Sequence, residues 1–414
     1  MAELFFKALT IKKARSVLSG YLKEFRSPVK VPLLESLNRR LACAVTAVED
    51  IPGFGRSTVD GYAVRARDTY GASEGLPSYL EVYGEVLMGR APDREVGAGQ
   101  AWYIATGGML PRGADAVVMV EYTEELDGST IGITRPVAPG ENVIQKGEDI
   151  SSGEVALPAG HRIRPQDLGM LSSVGVDTVE VASRVKVGII STGDELVCPG
   201  DKPGPGQVRD INSFTLHGAV EACGGIPYLY GVIPDNFARL KKILEQALDE
   251  NDLVLLSGGS SVGVRDVTLR VIEAMGKPGV LFHGISVKPG KPTIGAVVKG
   301  KPVFGLPGHP VSTLIIFDIL VAPLVRDGGY PADEEESLTA FPLLALMTRN
   351  LRSAAGREDF IRVKLYRRDG QVYAEPVLGK SGLITTMVRA DGIARIPPGK
   401  EGVEAGETVE VKLF

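Results

Sequence analysis

Residues 252–263 read DLVLLSGGSSVG, an apolar run that stops abruptly in serines and glycines. The apolar half has the length and the unbroken Leu/Val content of a strand buried on both faces. Its surroundings repeat the theme: VKVGIIS (185–191) and IPYLYGVIP (226–234) read as further strands, and SFTLHGAVEACGG (213–225) and RDVTLRVIEAMG (265–276) as helices. In NFARLKKILEQALDEN (236–251), Phe237, Leu240, Ile243, Leu244, Ala247 and Leu248 share one helical face. Asn212 is the expected cap of the 213–225 helix and Gly224 its stop. Strand and helix alternating through short connections predict a mostly parallel, doubly wound sheet covered on both faces. Ligands in such sheets bind beyond the carboxyl ends of the strands.

The chain has 414 residues, more than one core usually organises, so several domains are expected. Residues 1–50 with 151–184 are read as a helical and linker region, with Thr10 capping a helix that carries Ile11, Ala14, Val17, Leu18 and Leu22. Residues 51–150 hold short β-rich runs such as YLEVYGEVLMG and QAWYIATGG, broken by Gly and Pro, and read as an inserted β-rich domain. Residues 185–330 form the α/β domain, and 331–414 a C-terminal β domain with a hairpin turning at Asp369-Gly370.

The net charge of −5, with Lys and Arg scattered, argues against a nucleic-acid binder. Cys43, Cys198 and Cys223 are odd in number and far apart, which argues against a disulfide framework or a zinc site and fits a reducing cytoplasm. His161, His217 and His283 are isolated, without metal-ligand spacing. The first residues lack the pattern of a secretion signal. The segment VSTLIIFDILVAPLV (311–325) is too short for a membrane span and contains Asp318 and Pro323, so a buried helix is expected.

Four loops fall at predicted strand ends: STGDEL (191–196), VIPDN (232–236), SGGSSVGVRD (257–266) and GLPGHPVST (305–313). The SGGSSVG loop fits a tight turn and equally a cradle of backbone N–H groups and hydroxyls for an anion. No Lys follows its last glycine, so a nucleoside-triphosphate loop is a poor match. In VKPGKPTIG (287–295), Lys288 and Lys291 bracket Pro289 and Gly290; a solvated turn and an anion clamp both fit. Asp194, Glu195, Asp235 and Asp266 share the strand-end edge, and Asp60 and Asp149 precede them; capping is the alternative role for each. Unit charges 4 Å apart interact by roughly 4 kcal/mol at an effective dielectric of 20. Carboxylates and lysines in one anion site therefore imply a bridging cation, and oxygen ligands without a His or Cys cluster point to Mg²⁺.

STVDGYAV, ATGGMLP, GEDI, STGDEL, PDN, SGGSSVG, KPGKP and GLPGHPVST stand in the order and approximate spacing of a known family. With GREDFIRVKL and SGLITTMVRADGIARIPPG further on, the chain resembles the molybdopterin molybdenumtransferases, the MoeA and gephyrin E-domain family, over nearly its whole length. The resemblance implies a homodimer of four-domain subunits whose α/β domain is like that of the molybdopterin adenylyltransferases. It implies that adenylylated molybdopterin and molybdate meet, that the adenylate is cleaved with Mg²⁺ and AMP leaves, and that molybdenum remains on the dithiolene. Tungstate, similar in shape and charge, fits the same expectation, as does docking of an adenylyltransferase partner.

Carried over by motif, Asp60 and Thr106 belong to the β-domain side of the cleft, and Asp60, Asp149, Glu195, Asp235 and Asp266 are catalytic. Asp149, Glu195, Asp235 and Asp266 are the metal ligands. Thr192, Gly193, Asp194, Ser257, Gly258, Gly259, Ser260, Ser261, Gly263, Lys288, Lys291, Pro307, Gly308, His309 and Ser312 bind substrate. The family often has Asn where this chain has His309, and an acid where it has Val264, which shortens the carboxylate set by one. Two other readings remain: an adenylyltransferase-like nucleotide enzyme, and a non-catalytic scaffold or cofactor carrier.

Overall fold

Along Leu253–Ser257 the side chains alternate between two cores, Leu253 and Leu255 on one side of the sheet and Val254 and Leu256 on the other. This period of two in a fully buried strand identifies the centre of the α/β sheet in the computed structural model, which describes residues 8–22, 26–258, 267–330 and 343–414. The chain divides into two compact units, Pro28–Ala182 and Ser183–Phe414 with the residues up to Ser27.

In the larger unit the sheet order is Ile226–Ile233, Lys186–Thr192, Leu253–Ser257, Lys301–Leu306, Ile294–Val298, Gly279–His283. The first four strands are parallel and the last two antiparallel. The switch has a local cause: Lys299 and Gly300 join two strands with φ of 51° and 77°, a two-residue hairpin turn that cannot return a parallel strand. One face is covered by Ile11–Ser19, Asn212–Ala222 and the 310–327 segment, the other by Phe237–Glu250 and Val267–Ala274. The Phe237–Glu250 helix buries Leu240, Leu244, Ala247 and Leu248, each Leu worth about 1.5–3 kcal/mol. Its cap is Asn236, whose side chain accepts from the Arg239 N–H at 3.0 Å. The apolar segment around 311–325 is a buried succession of Pro310–Ile316, a π-helical turn Phe317–Val321 and Ala322–Asp327. No helix among the described residues is long and apolar enough to cross a membrane.

The C-terminal part of this unit closes into a barrel. Glu358–Arg368, Gln371–Pro376, Leu343–Met347, Thr408–Leu413 and Gly392–Ile396 pair in sequence, and the last pairs back with the first, around Val363, Ala374, Ala394 and Val411. The hairpin turns at Asp369 and Gly370, both at positive φ (50° and 77°). Val287–Lys288 adds a parallel strand to the start of Glu358–Arg368, so the KPGKP turn is rooted in the barrel's sheet.

The unit Pro28–Ala182 carries a six-stranded sheet ordered Ala116–Met119, Gly61–Val64, Gln100–Ile104, Ser78–Val86, Thr130–Ile133, Thr123–Glu125. Its flanking segments pair Pro28–Pro32 with Thr178–Ala182 and pack Leu41, Ile163 and Leu171 together.

Two expectations are corrected. Among the described residues the stretch to residue 50 is α-helical only over Ile11–Ser19, which Thr10 does cap by accepting from the Lys13 N–H at 3.2 Å, with one short 3₁₀ helix at Leu33–Ser36. Beyond it Pro28 and Pro32 bracket β-branched Val29 and Val31 in an extended strand, where proline would have broken a helix. Asn212 lies inside its helix rather than capping it; Ile211 holds the cap position without a side-chain bond. Gly224 does stop that helix, at φ 81°. All three cysteines are free thiols.

Candidate active site

Three strands of the sheet end side by side at Thr192, Ser257 and Leu306, followed by Gly258 and the turn Pro307-Gly308. The fit is tight. Gly258 has φ 102°, and a Cβ there would stand 2.1 Å from the Thr192 carbonyl oxygen, so only glycine lets the chain pass. Asn212 ties the ends together: its Nδ2 donates to Ser257 Oγ at 2.7 Å and to the Gly308 carbonyl at 2.8 Å. Beneath it Asp210 Oδ1 accepts from Ser191 Oγ at 3.0 Å and from the Ser213 N–H at 3.2 Å.

A cavity of about 1270 Å³ opens between these strand ends and the barrel. Of the residues expected to bind substrate, Thr192, Ser257, Gly258, Lys288, Lys291, Pro307, Gly308, His309 and Ser312 line it, as does Glu195. The opposite wall, which sequence reasoning missed, brings Arg352, Arg357, Arg362, Lys380 and Ser381 from the C-terminal domain. Arg357 is neutralised by Asp359 at 2.8 Å. Arg362 is only 8% exposed and donates to the Gly379 carbonyl at 2.8 Å; burial pulls its pKa down, and it has no carboxylate partner among the described residues. A guanidinium buried without a counter-ion costs several kcal/mol, which a bound anion offsets. His309 Nδ1 lies 2.8 Å from Ser381 Oγ, joining the GLPGHP turn to the barrel loop.

A second chemistry lies beside this one. Asp194, Glu195 and Asp235 crowd the strand-end edge, and the Asp235 N–H donates to Asp194 Oδ1 at 3.1 Å. Partial burial, then the charges of Asp194 and Glu195, hold the Asp235 carboxyl above its ordinary pKa. None of the three has a basic ion-pair partner among the described residues. No group of three or more His, Cys, Asp or Glu side chains among them stands close enough to hold a metal. Gly259, Ser260, Ser261, Gly263, Val264 and Asp266 lie outside the described residues.

Asp60, Thr106 and Asp149 belong to the unit Pro28–Ala182. Thr106 donates its N–H and its hydroxyl to Asp60 Oδ1 at 2.7 and 2.9 Å, which lowers the Asp60 pKa. The Asp149 N–H donates to the Ile51 carbonyl at 3.0 Å.

The class is thus an α/β protein whose strand-end turns share a cavity with cations of a C-terminal β barrel. The sequence matches the MoeA N-terminal region (domain I and II) over residues 9–175, a probable molybdopterin binding domain over 188–327 and the MoeA C-terminal region (domain IV) over 345–414. The chain belongs to the MoeA family. It is similar to the molybdopterin molybdenumtransferase of Bacillus subtilis, 33% identical over 93% of this chain and 89% of that one. It is also similar to a crystal structure of a molybdopterin biosynthesis MoeA protein from Pyrococcus horikoshii, with a TM-score of 0.83 and 35% identity over 99% of this chain and 100% of that one. A second structure of a Pyrococcus MoeA protein is 40% identical with a TM-score of 0.79, covering 99% of each chain.

Proposed function

We propose that the cavity holds adenylylated molybdopterin and molybdate while molybdenum is inserted and AMP released. Family membership makes the chain a transferase of molybdenum cofactor biosynthesis. The observation that carries the finer reading is Arg362, a buried guanidinium without a carboxylate partner among the described residues, which lines one cavity together with Lys288 and Lys291. Molybdate and a phosphorylated pterin are both anions, and pre-placed cations lower the cost of bringing them together.

The residues divide the work. Lys288, Lys291 and Arg362 hold negative oxygens, and the Ser257-Gly258 and Pro307-Gly308 turns let the ligand approach the backbone. The acidic edge suits Mg²⁺ in the kind of atom it offers, carboxylate oxygens without His or Cys, although no three of them among the described residues stand close enough to hold an ion by themselves. Glu195 and Asp235 are the proposed ligands in this unit, joined by Asp266 on the strength of the motif. The ion, when bound, disperses charge developing on the cleaved phosphoanhydride. For Asp60, Thr106 and Asp149 a part in the reaction is proposed from the resemblance, as are the four-domain division and the homodimer.

The test is to supply purified adenylylated molybdopterin with Mg²⁺ and either molybdate or tungstate, and to follow AMP release and metal incorporation. AMP with molybdenum on the pterin is the expected outcome. No AMP with either oxyanion would remove the reading.

A further inference from the structure

The floor of the cavity is unlike its walls. Where the walls carry cations, the floor carries unanswered acceptors. Asn212, 8% exposed, spends both Nδ2 hydrogens on Ser257 Oγ and the Gly308 carbonyl, and its Oδ1 has no partner among the described residues. The orientation is fixed, because turning the amide over would set Oδ1 against the Gly308 carbonyl oxygen. Thr192, 1% exposed, has an Oγ1 without a partner among the described residues. Asp210, 6% exposed, commits Oδ1 to Ser191 and Ser213, while Oδ2 takes no hydrogen bond among the described residues. All three residues line the cavity. Buried polar atoms of native proteins are nearly always paired, so two unpaired ones beside a carboxylate oxygen left open at the cavity mark where a ligand's donors belong.

We propose that Asp210, with Asn212 and Thr192 beside it, recognises the 2-amino-4-oxopyrimidine edge of a pterin, so that the ring lies on the acceptor floor and the anionic end of the ligand on the Lys288, Lys291 and Arg362 wall. The proposal rests on the cavity being the site of the pterin reaction. A pterin presents N3–H and the 2-amino group as adjacent donors, one for Asp210 Oδ2 and the other for the neighbouring Asn212 and Thr192 oxygens, since Asp210 Oδ1 is held by Ser191 and Ser213. An adenine edge alternates donor and acceptor, and would press a ring nitrogen lone pair against the Asp210 carboxylate. The floor therefore assigns the ring end to the pterin and leaves the adenylate elsewhere in the cavity.

The discriminating probes are free pterin and lumazine, which differ in carrying an amino or an oxo group at position 2, titrated by fluorescence against the full chain. Asp210→Asn is the chosen variant because Asn keeps a carbonyl oxygen for Ser191 and Ser213 and exchanges only Oδ2 for a donor. The native protein is expected to prefer pterin to lumazine, and Asp210→Asn to lose roughly 10–100-fold of pterin affinity with little change for lumazine and an unchanged thermal midpoint. Equal loss for both ligands would show a structural role and overturn the proposal. So would an unaltered pterin affinity, a native protein indifferent between pterin and lumazine, or AMP binding that falls in the variant as pterin binding was expected to. Failure of the native protein to release AMP from adenylylated molybdopterin would instead defeat the underlying reading, whereas an active protein with an indifferent Asp210→Asn rejects the pterin floor alone.

Discussion

Lys288 is the register partner of Asp359 in the short parallel ladder that joins the KPGKP turn to the barrel. Asp359 is buried, yet its carboxylate is taken by Arg357 at 2.8 Å, so the Lys288 charge is left for the cavity. The turn is held from the other side by the Ile285 N–H donating to the Lys291 carbonyl at 3.0 Å, and by Thr293 Oγ1 donating to the Gly290 carbonyl at 2.7 Å. Two lysines on a fixed backbone reach an anion with little ordering cost.

Lys288→Ala and Lys291→Ala should each raise the KM for molybdate in AMP release by about 10–100-fold, the value of one charge-assisted bond, with the fold intact. KM should rise with salt less steeply in the variants than in the native protein, so the gap is widest at low salt, because one screened charge is missing. Steady-state assays over a salt series measure both. Unchanged KM values would show the lysines to be a solvated turn.

Arg362→Met should separate binding from stability. The variant keeps the volume and removes a buried charge that has no carboxylate partner among the described residues, so it should unfold within about 1 kcal/mol of the native protein despite losing the bond to Gly379. Molybdate should raise the native thermal midpoint, since a ligand at 100 times its Kd stabilises by about 2.7 kcal/mol, and leave the variant's nearly unchanged. Equal stabilisation of the two by molybdate would place the anion elsewhere.

The strand-end half of this site was legible and the barrel half was not. Lys288, Lys291, Thr192, Gly258 and Gly308 stand in short turns of special composition next to apolar strands, a local signal that parallel α/β topology converts into one edge. Arg362 and Ser381 carry no such signal: Arg362 sits mid-strand in FIRVKL on the face opposite Ile361, Val363 and Leu365, which fill the barrel, and it is buried on the outer face, where Phe360 joins the α/β core. Asn212 read as a helix cap, and its bonds run instead to Ser257 and Gly308, partners 45 and 96 residues away; Asp210, which no motif singled out, takes its bond from Ser191, 19 residues away. The antiparallel end of the sheet was hidden likewise in the Lys299-Gly300 turn, whose positive φ values no hydrophobic period reports.

Gly258→Ala tests the close approach at the strand ends. At φ 102° a methyl group would meet the Thr192 carbonyl oxygen at 2.1 Å, so the cost should exceed the roughly 1–3 kcal/mol of a disfavoured backbone alone. Denaturant unfolding should show the loss. Gly308→Ala, where a Cβ would meet only Gly258 Cα at 3.9 Å, should be tolerated far better. Similar behaviour of the two variants would contradict the geometry.

In the unit Pro28–Ala182, acid sensitivity should concentrate at Asp167. Its carboxylate, 4% exposed, receives Arg164 Nε at 2.9 Å and the Arg164 N–H at 2.7 Å, and lies 2.7 Å from His161 Nε2. These bonds, the Arg164 side chain first, hold its pKa well below the carboxylate range against the opposing effect of burial. A carboxyl whose folded pKa is depressed contributes stability that is fully present above its unfolded value of about 3.9 and is lost as pH falls toward the folded one. Asp167→Asn keeps an oxygen for the Arg164 N–H and removes the charge. It should cost about 1 kcal/mol at pH 7, as loss at a helix N-terminus usually does, and the gap to the native protein should narrow as the pH drops below about 4. Urea unfolding at pH 7 and pH 3 measures the change; a gap constant between the two would mean that shape, and not the charge at Asp167, holds this corner together.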